Sequence, residues 1–143
     1  MPDTEFSGND HRFMAHALQI ANRGRSTTQP NPRVGCVIVK DAQIIAEGWH
    51  EKAGLAHAEI NALQMAGNAA LGATAYVTLE PCSHHGRTPP CADALINSGI
   101  SEVVIAMQDP NSLVAGEGMK RLSQAGITVR SGLLQQQALE LNR

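Results

Sequence analysis

Hydrophobic and polar positions along the chain fall into stretches of two periods. Phe13, Met14, Ala17, Leu18 and Ala21 recur at three- and four-residue intervals, which is one face of a helix. Asn9 or Asp10 can cap that helix, and Gly24 can close it. The polar stretch RSTTQPNPR carries no period and breaks regular structure. VGCVIVK and QIIAEGW then read as two strands, separated only by Asp41 and Ala42, which is hairpin spacing; both are expected to be central strands. Across 56–69 the helical period returns, with Ile60, Leu63 and Met65 available to pack on a sheet. TAYVTLE predicts a third strand, CADALINSG a helix closed by Gly99, and EVVIAM a fourth strand. GEGMKRLSQAG predicts a helix closed by Gly126, ITVRSG a short fifth strand, and LLQQQALELNR a last helix.

An opening hairpin followed by alternating strands and helices predicts an α/β protein, a three-layer α/β/α sandwich around a central mixed five-stranded sheet. No internal repeat, low-complexity tract or Gly/Ser-rich interior linker divides the chain, so residues 1–143 are expected to form one domain. That length encloses a hydrophobic core without disulfides or a structural metal. No apolar run approaches the roughly 20 residues that span a bilayer, and MPDTEFSGNDHRF lacks the apolar core of a secretory signal. A cytoplasmic location with no membrane partner is expected. The net charge of -2, the absence of Lys/Arg runs and an aromatic content of 3% argue against nucleic acid as the partner. A small substrate fits better.

The cysteines change this picture most. Cys36, Cys82 and Cys91 cannot all pair within the chain, and in a reducing compartment thiolate chemistry is favoured over a Cys82–Cys91 disulfide, which remains the bland alternative. HAEINAL begins at His57, and PCSHHGRTPPC begins at Pro81. Two soft thiolates and an imidazole suit Zn²⁺, and three protein ligands, His57, Cys82 and Cys91, leave a fourth tetrahedral position open, as catalytic zinc sites do. Glu59, two residues after His57, is awkwardly placed to coordinate the same ion and reads as a proton shuttle. His57 and Cys82 each fall where a helix or turn begins, and helix N-termini favour thiolate over thiol. An H-x-E sequence followed by P-C and a second Cys is the pattern of zinc-dependent base deaminases. His11 and His16, outside any motif, read as surface or packing residues, and Cys36 as a small buried hydrophobe.

That pattern usually has two residues between its cysteines, whereas SHHGRTPP intervenes here. TLEPCSHHGRTPPCADALI resembles the riboflavin-pathway pyrimidine deaminase family, and so do QPNPRVGCVIVKDAQIIAEGWH, AGLAHAEINAL and MQDPNSLVAGEGMKRLSQAGI, so the resemblance covers nearly the whole chain. It implies a cytidine-deaminase-like fold, one Zn²⁺, and hydrolytic deamination of diaminohydroxyphosphoribosylaminopyrimidine with Glu59 as acid and base. It also implies self-association, and a reductase domain that follows the deaminase in the family and has no counterpart here. Carried over by resemblance, the substrate contacts are Asn31, His50, His84, Arg87, Asp109 and Asn111. Arg87 offers a planar guanidinium to a phosphate, and Asn31 a donor and an acceptor to a pyrimidine edge. For His50 the alternative is a strand-end residue, with the resemblance favouring a substrate contact; without the resemblance Asp109 and Asn111 can equally be turn residues, and His85 is ambiguous. The sequence departs from the family pattern at Ser112, at Glu117 and at the Leu-Ala before His57, which bears on affinity rather than on the reaction. Two other readings stay open: a zinc deaminase of another nucleobase (a free nucleoside, guanine or transfer-RNA adenosine), and a non-catalytic zinc module.

Overall fold

The computed structural model describes residues 6–24, 32–51, 56–83, 90–111 and 113–142. Its hairpin lies where the pattern predicts, β1 (Gly35–Lys40) starting one residue later than VGCVIVK and β2 (Gln43–Trp49) matching QIIAEGW. Asp41 and Ala42 both have positive φ, 53° and 61°, as a two-residue turn matched to the strand twist requires. β3 (Thr74–Leu79), β4 (Glu102–Met107) and β5 (Thr128–Ser131) complete one sheet in the order β2-β1-β3-β4-β5. β1 is antiparallel to both of its neighbours, while β3, β4 and β5 run parallel. β2 is therefore an edge strand, not a central one. Its first half, Gln43 to Ile45, is exposed or half-buried, as suits a strand bonded along one side only.

Helices cover both faces. α1 (Gly8–Ala21) and α5 (Gln135–Leu141) close one core, where Phe13, Met14, Ala17 and Ile20 meet Val37, Tyr76 and Val104. α2 (Ala58–Ala66), α3 (Cys91–Asn97) and α4 (Glu117–Gln124) close the other, where Ala58, Ala62, Leu95 and Leu122 meet Cys36, Ile38, Val77 and Ile105. The alternation of Cys36 and Ile38 with Val37 along β1 sends neighbours to opposite cores, and full burial of each large apolar side chain contributes about 1.5–3 kcal/mol.

Two local expectations are corrected. Ser7, not Asn9 or Asp10, caps α1: Ser7 accepts from the Asp10 amide, while the Asp10 carboxylate accepts from the Ser7 amide, a reciprocal capping box. On α2 Leu63 packs against the core as expected, but the fully buried face is Ala58, Glu59 and Ala62, while Ile60 is half-buried and Met65 is 63% exposed. The reason lies in β2. A Cβ on Gly48 would stand 2.5 Å from both the Ala58 carbonyl oxygen and the Ala62 nitrogen, so the helix rests directly on the strand and only small residues fit between them.

Strand direction gathers the functional loops at one end. The start of β1 and the end of β2 lie beside the ends of β3 and β4, because Gly35 pairs with Trp49, and the Gly35 amide donates to Thr78 Oγ1 at 3.1 Å.

Candidate active site

His57 is the N-cap of α2, with extended backbone (φ -72°, ψ 166°); its side chain makes no capping bond, while its carbonyl accepts from the Asn61 amide at 3.1 Å. Asn61 fastens this start from the other side, its Nδ2 donating to the Trp49 carbonyl at 2.9 Å and reaching the Ala56 carbonyl at 3.4 Å. Cys82 follows the turn after β3, and Cys91 is the first residue of α3. The Cys91 amide donates to Cys82 Sγ at 3.2 Å, and the Ala92 amide to the Cys82 carbonyl at 3.0 Å, so the helix start holds the first cysteine in place. One ligand atom from each of His57, Cys82 and Cys91 lies within 4.8 Å of the others, and His57 Nδ1 is 3.3 Å from Cys91 Sγ. All three cysteines are free, with no disulfide between Cys82 and Cys91.

The donor set fits a divalent zinc ion. Tetrahedral zinc with bonds of about 2.0–2.3 Å places neighbouring ligand atoms about 3.3–3.8 Å apart, the scale of the contact between His57 and Cys91. A hydrogen bond from Cys91, followed by bonds from the His57 ring and the Cys91 amide, pulls Cys82 down to about 4 against the effect of burial. The same sharing, with burial, pushes the Cys91 thiol up, and the bond to Cys82 raises the His57 imidazole. Two thiols thus compete for one negative charge, a competition that a cation at their centre removes.

Glu59 sits in the first turn of α2 with only 4% of its surface exposed. Burial pushes its carboxyl up to about 7, and the nearby Cys82 charge adds to this, while its own backbone amide, His57 and Cys91 oppose it. A carboxyl balanced near neutrality can both take and give a proton. It opens on a cleft of about 170 Å³ that His57, Cys82, His50 and Asp109 also line, with Val34 and Leu79 as apolar walls. His50 is 3% exposed; its ring centroid stands 5.2 Å from that of His57, and its amide donates to the Val34 carbonyl at 3.1 Å.

The structure therefore brings together His50, His57, Glu59, Cys82, Cys91 and Asp109. Asn111 lies two residues further along the Asp109 loop, outside the cleft lining: its amide donates to Asp109 Oδ1 at 2.9 Å, and its own Oδ1 accepts from the Leu113 amide at 3.0 Å. Those bonds are turn chemistry, whatever else the two side chains do. Asn31, His84 and Arg87 lie outside the described residues, as do His85 and Ser112. Sequence reasoning passed over Glu80, which is 5% exposed and lines the same cleft, and Asn61. A carboxylate ending an apolar strand just before Pro-Cys was the available signal for the former.

His11 lies at the α1 start with Nδ1 2.9 Å from the Ser7 carbonyl, His16 pairs with Glu47 at 2.9 Å, and Cys36 is fully buried; none of the three lines the cleft. No helix among the described residues is long and apolar enough to cross a membrane.

The family described as "Cytidine and deoxycytidylate deaminase zinc-binding region" matches residues 7–107. The chain is 63% identical over 134 residues to the riboflavin biosynthesis protein RibD of Escherichia coli, covering 94% of this chain and 36% of that protein. It is 55% identical over 135 residues to the diaminohydroxyphosphoribosylamino-pyrimidine deaminase of Buchnera aphidicola, covering 94% of this chain and 92% of that one. Among solved structures, Acinetobacter baumannii RibD superimposes with a TM-score of 0.92 at 56% identity, over 94% of this chain and 38% of that one. The chain thus spans little more than a third of its RibD relatives. The mixed sheet, the His and Cys donor set and the match over most of its length place the chain in the cytidine and deoxycytidylate deaminase family, with a cytidine-deaminase-like fold.

Proposed function

We propose that the chain hydrolytically deaminates diaminohydroxyphosphoribosylaminopyrimidine, releasing ammonia in an early step of riboflavin biosynthesis. The observation that carries this reading is a buried carboxyl, Glu59, opening on one small cleft beside a three-donor metal set. The likeness to a relative of nearly the same length that is named for this substrate supports it. His57, Cys82 and Cys91 would hold zinc, which when bound supplies a Lewis acid that lets water act as a nucleophile near neutral pH.

Glu59 does the proton work. Its carboxylate takes a proton from the attacking water and delivers it to the ring nitrogen beside the reacting carbon; the second proton goes by the same oxygen to the departing amine. One carbon–nitrogen bond breaks, one carbon–oxygen bond forms, and one water is consumed per ammonia released. Val34 and Leu79 exclude bulk water from one side of the cleft, which strengthens the electrostatic interactions within it. His50 and Asp109 line the walls where a ring edge and ribose hydroxyls would lie, and Asn111 supports the Asp109 turn. The described cleft lining contains no lysine or arginine, so the substrate phosphate is assigned to Arg87, with His84 as a hydrogen-bonding substrate contact and Asn31 on the pyrimidine edge. We further assign the chain one domain, a cytoplasmic location, self-association and, where the protein continues as its longer relatives do, a reductase domain as partner.

The test is ammonia release by zinc-loaded protein from the phosphoribosylated pyrimidine, with cytidine, guanine and adenosine in parallel. Release from the first alone is expected. Release only from one of the others would move the assignment to that substrate, and silence on all four would favour a non-catalytic zinc module.

A further inference from the structure

We propose that Glu80 is a positioning residue of this cleft: its carboxylate gathers the Asp109, Gly116 and Met119 amides beside residues 81–82 and thereby sets Asp109 on the cleft wall. The proposal rests on the deaminase reading above for the meaning of that wall. The Glu80 amide donates to the Met107 carbonyl at 2.9 Å, which extends the β3–β4 ladder one step past the strands. Its side chain then turns to the neighbouring loop. Oε1 accepts from the Asp109 amide at 3.0 Å and from the Gly116 amide at 3.0 Å, and Oε2 accepts from the Met119 amide at 3.1 Å.

A carboxylate that is 5% exposed has a large desolvation cost unless its charge is met. No described lysine or arginine forms an ion pair with Glu80, so backbone dipoles meet it. Two of the three donors belong to the start of α4. Gly116 is the N-cap of that eight-residue helix and has no side chain with which to cap it; Met119 is the third helical residue, the usual recipient of an N-cap side chain. Glu80 thus caps α4 from another strand, 36 and 39 residues away in sequence. Gly118 shows how close the two pieces lie, because a Cβ there would stand 2.0 Å from the Pro81 carbonyl oxygen and 3.2 Å from Glu80 Cγ.

The third donor connects this cap to the site. Asp109 is held by its own amide to Glu80, two residues before the ligand Cys82, and its Oδ1 holds the Asn111 amide. One carboxylate therefore fixes the substrate wall relative to the metal donors. In Glu80→Gln the new amide group must face at least one backbone N–H with another N–H.

The test is a double-mutant cycle on the full zinc-loaded chain with amide hydrogen exchange as a second readout. Glu80→Gln should keep its zinc and change kcat less than about twofold while raising KM about tenfold, the scale of a lost charged hydrogen bond. In an Asp109→Ala background it should raise KM less than about twofold further, because Glu80 acts through Asp109. The Asp109, Gly116 and Met119 amides should exchange faster in Glu80→Gln than in the wild type. Multiplying KM effects in the double variant, a fall in kcat at constant KM, or unchanged exchange at Asp109 would each overturn the proposal. Should Glu80→Gln not fold, Glu80→Asp, one methylene too short to reach all three amides, is read in the same way. A wild type silent on the pyrimidine would remove the substrate reading, and the Asp109 exchange rate would still decide whether Glu80 holds the loop.

Discussion

Two clusters of polar groups among the described residues are each built around a buried carboxyl, and the two carboxyls are tuned in opposite directions. At the start of α1, Tyr76 donates to Asp10 Oδ1 at 2.5 Å, Arg130 reaches Asp10 Oδ2 at 3.2 Å, and its Nε bonds Glu102 at 2.7 Å. Burial alone would raise the Asp10 carboxyl, but Tyr76, the Ser7 amide and Arg130 outweigh it and hold it below the usual carboxylate range. At the cleft, burial wins instead and lifts Glu59 to about 7. The difference separates a carboxylate that fastens α1 to β3 and β5 from a carboxyl kept ready for proton transfer. Glu80, although it stands at the cleft, holds structure as Asp10 does, through the three backbone amides that it accepts from.

The sharpest way to break the comparison is to remove a donor from the cleft cluster. Cys82→Ser should lower bound zinc from about one equivalent per chain to near none by metal analysis, while the fold, built on cores elsewhere, persists. A variant that kept full zinc would show that the donor set is not the one described.

Glu59→Gln tests the sign of the tuning. A carboxyl whose pKa is raised in the folded state binds its proton more tightly folded than unfolded, so the stability it contributes is present at low pH and is lost as pH rises from the ordinary range near 4.5 to about 7. Metal-free wild type should therefore lose stability across that window relative to Glu59→Gln, by an amount on the order of a few kcal/mol, in denaturant titrations at successive pH values. Parallel curves would mean that Glu59 is not raised.

The opposite sign is expected at the other cluster. Asp10→Asn should cost about 1–3 kcal/mol at neutral pH, the scale of disrupting a buried charged network, and leave zinc content and kcat unchanged. Because the Asp10 carboxyl is depressed, its contribution is present above its unfolded value of 3.8 and is lost as pH falls through the lower folded value, so wild type and variant should converge in strong acid. The smallest effect belongs to neither cluster. Arg121→Ala removes an exposed pair with Asp93 and should leave the unfolding midpoint within error.

Much of this was legible in the sequence for physical reasons. β-branched runs marked β1 and β2 to within a residue, and ligand chemistry brought His57, Glu59, Cys82 and Cys91 together before any geometry was available. What escaped depends on packing between distant segments. Periodicity cannot tell an edge strand from a central one when the apolar runs look alike, as with β2. Nor could it foresee that Gly48 lets α2 approach so closely that Ala62 is buried while Met65 faces outward. Glu80 was invisible because all three of its donors come from residues 29 to 39 positions away, around a helix start that lacks a capping side chain of its own.

The central claim is that the buried carboxyl of the cleft moves the protons of a deamination while His57, Cys82 and Cys91 hold the metal. Its most direct test is ammonia release from the phosphoribosylated pyrimidine by zinc-loaded wild type and Glu59→Gln, with zinc measured in both. Equal zinc and a fall in kcat of about 10²–10⁴ in the variant are predicted. Equal zinc with undiminished turnover would contradict the account.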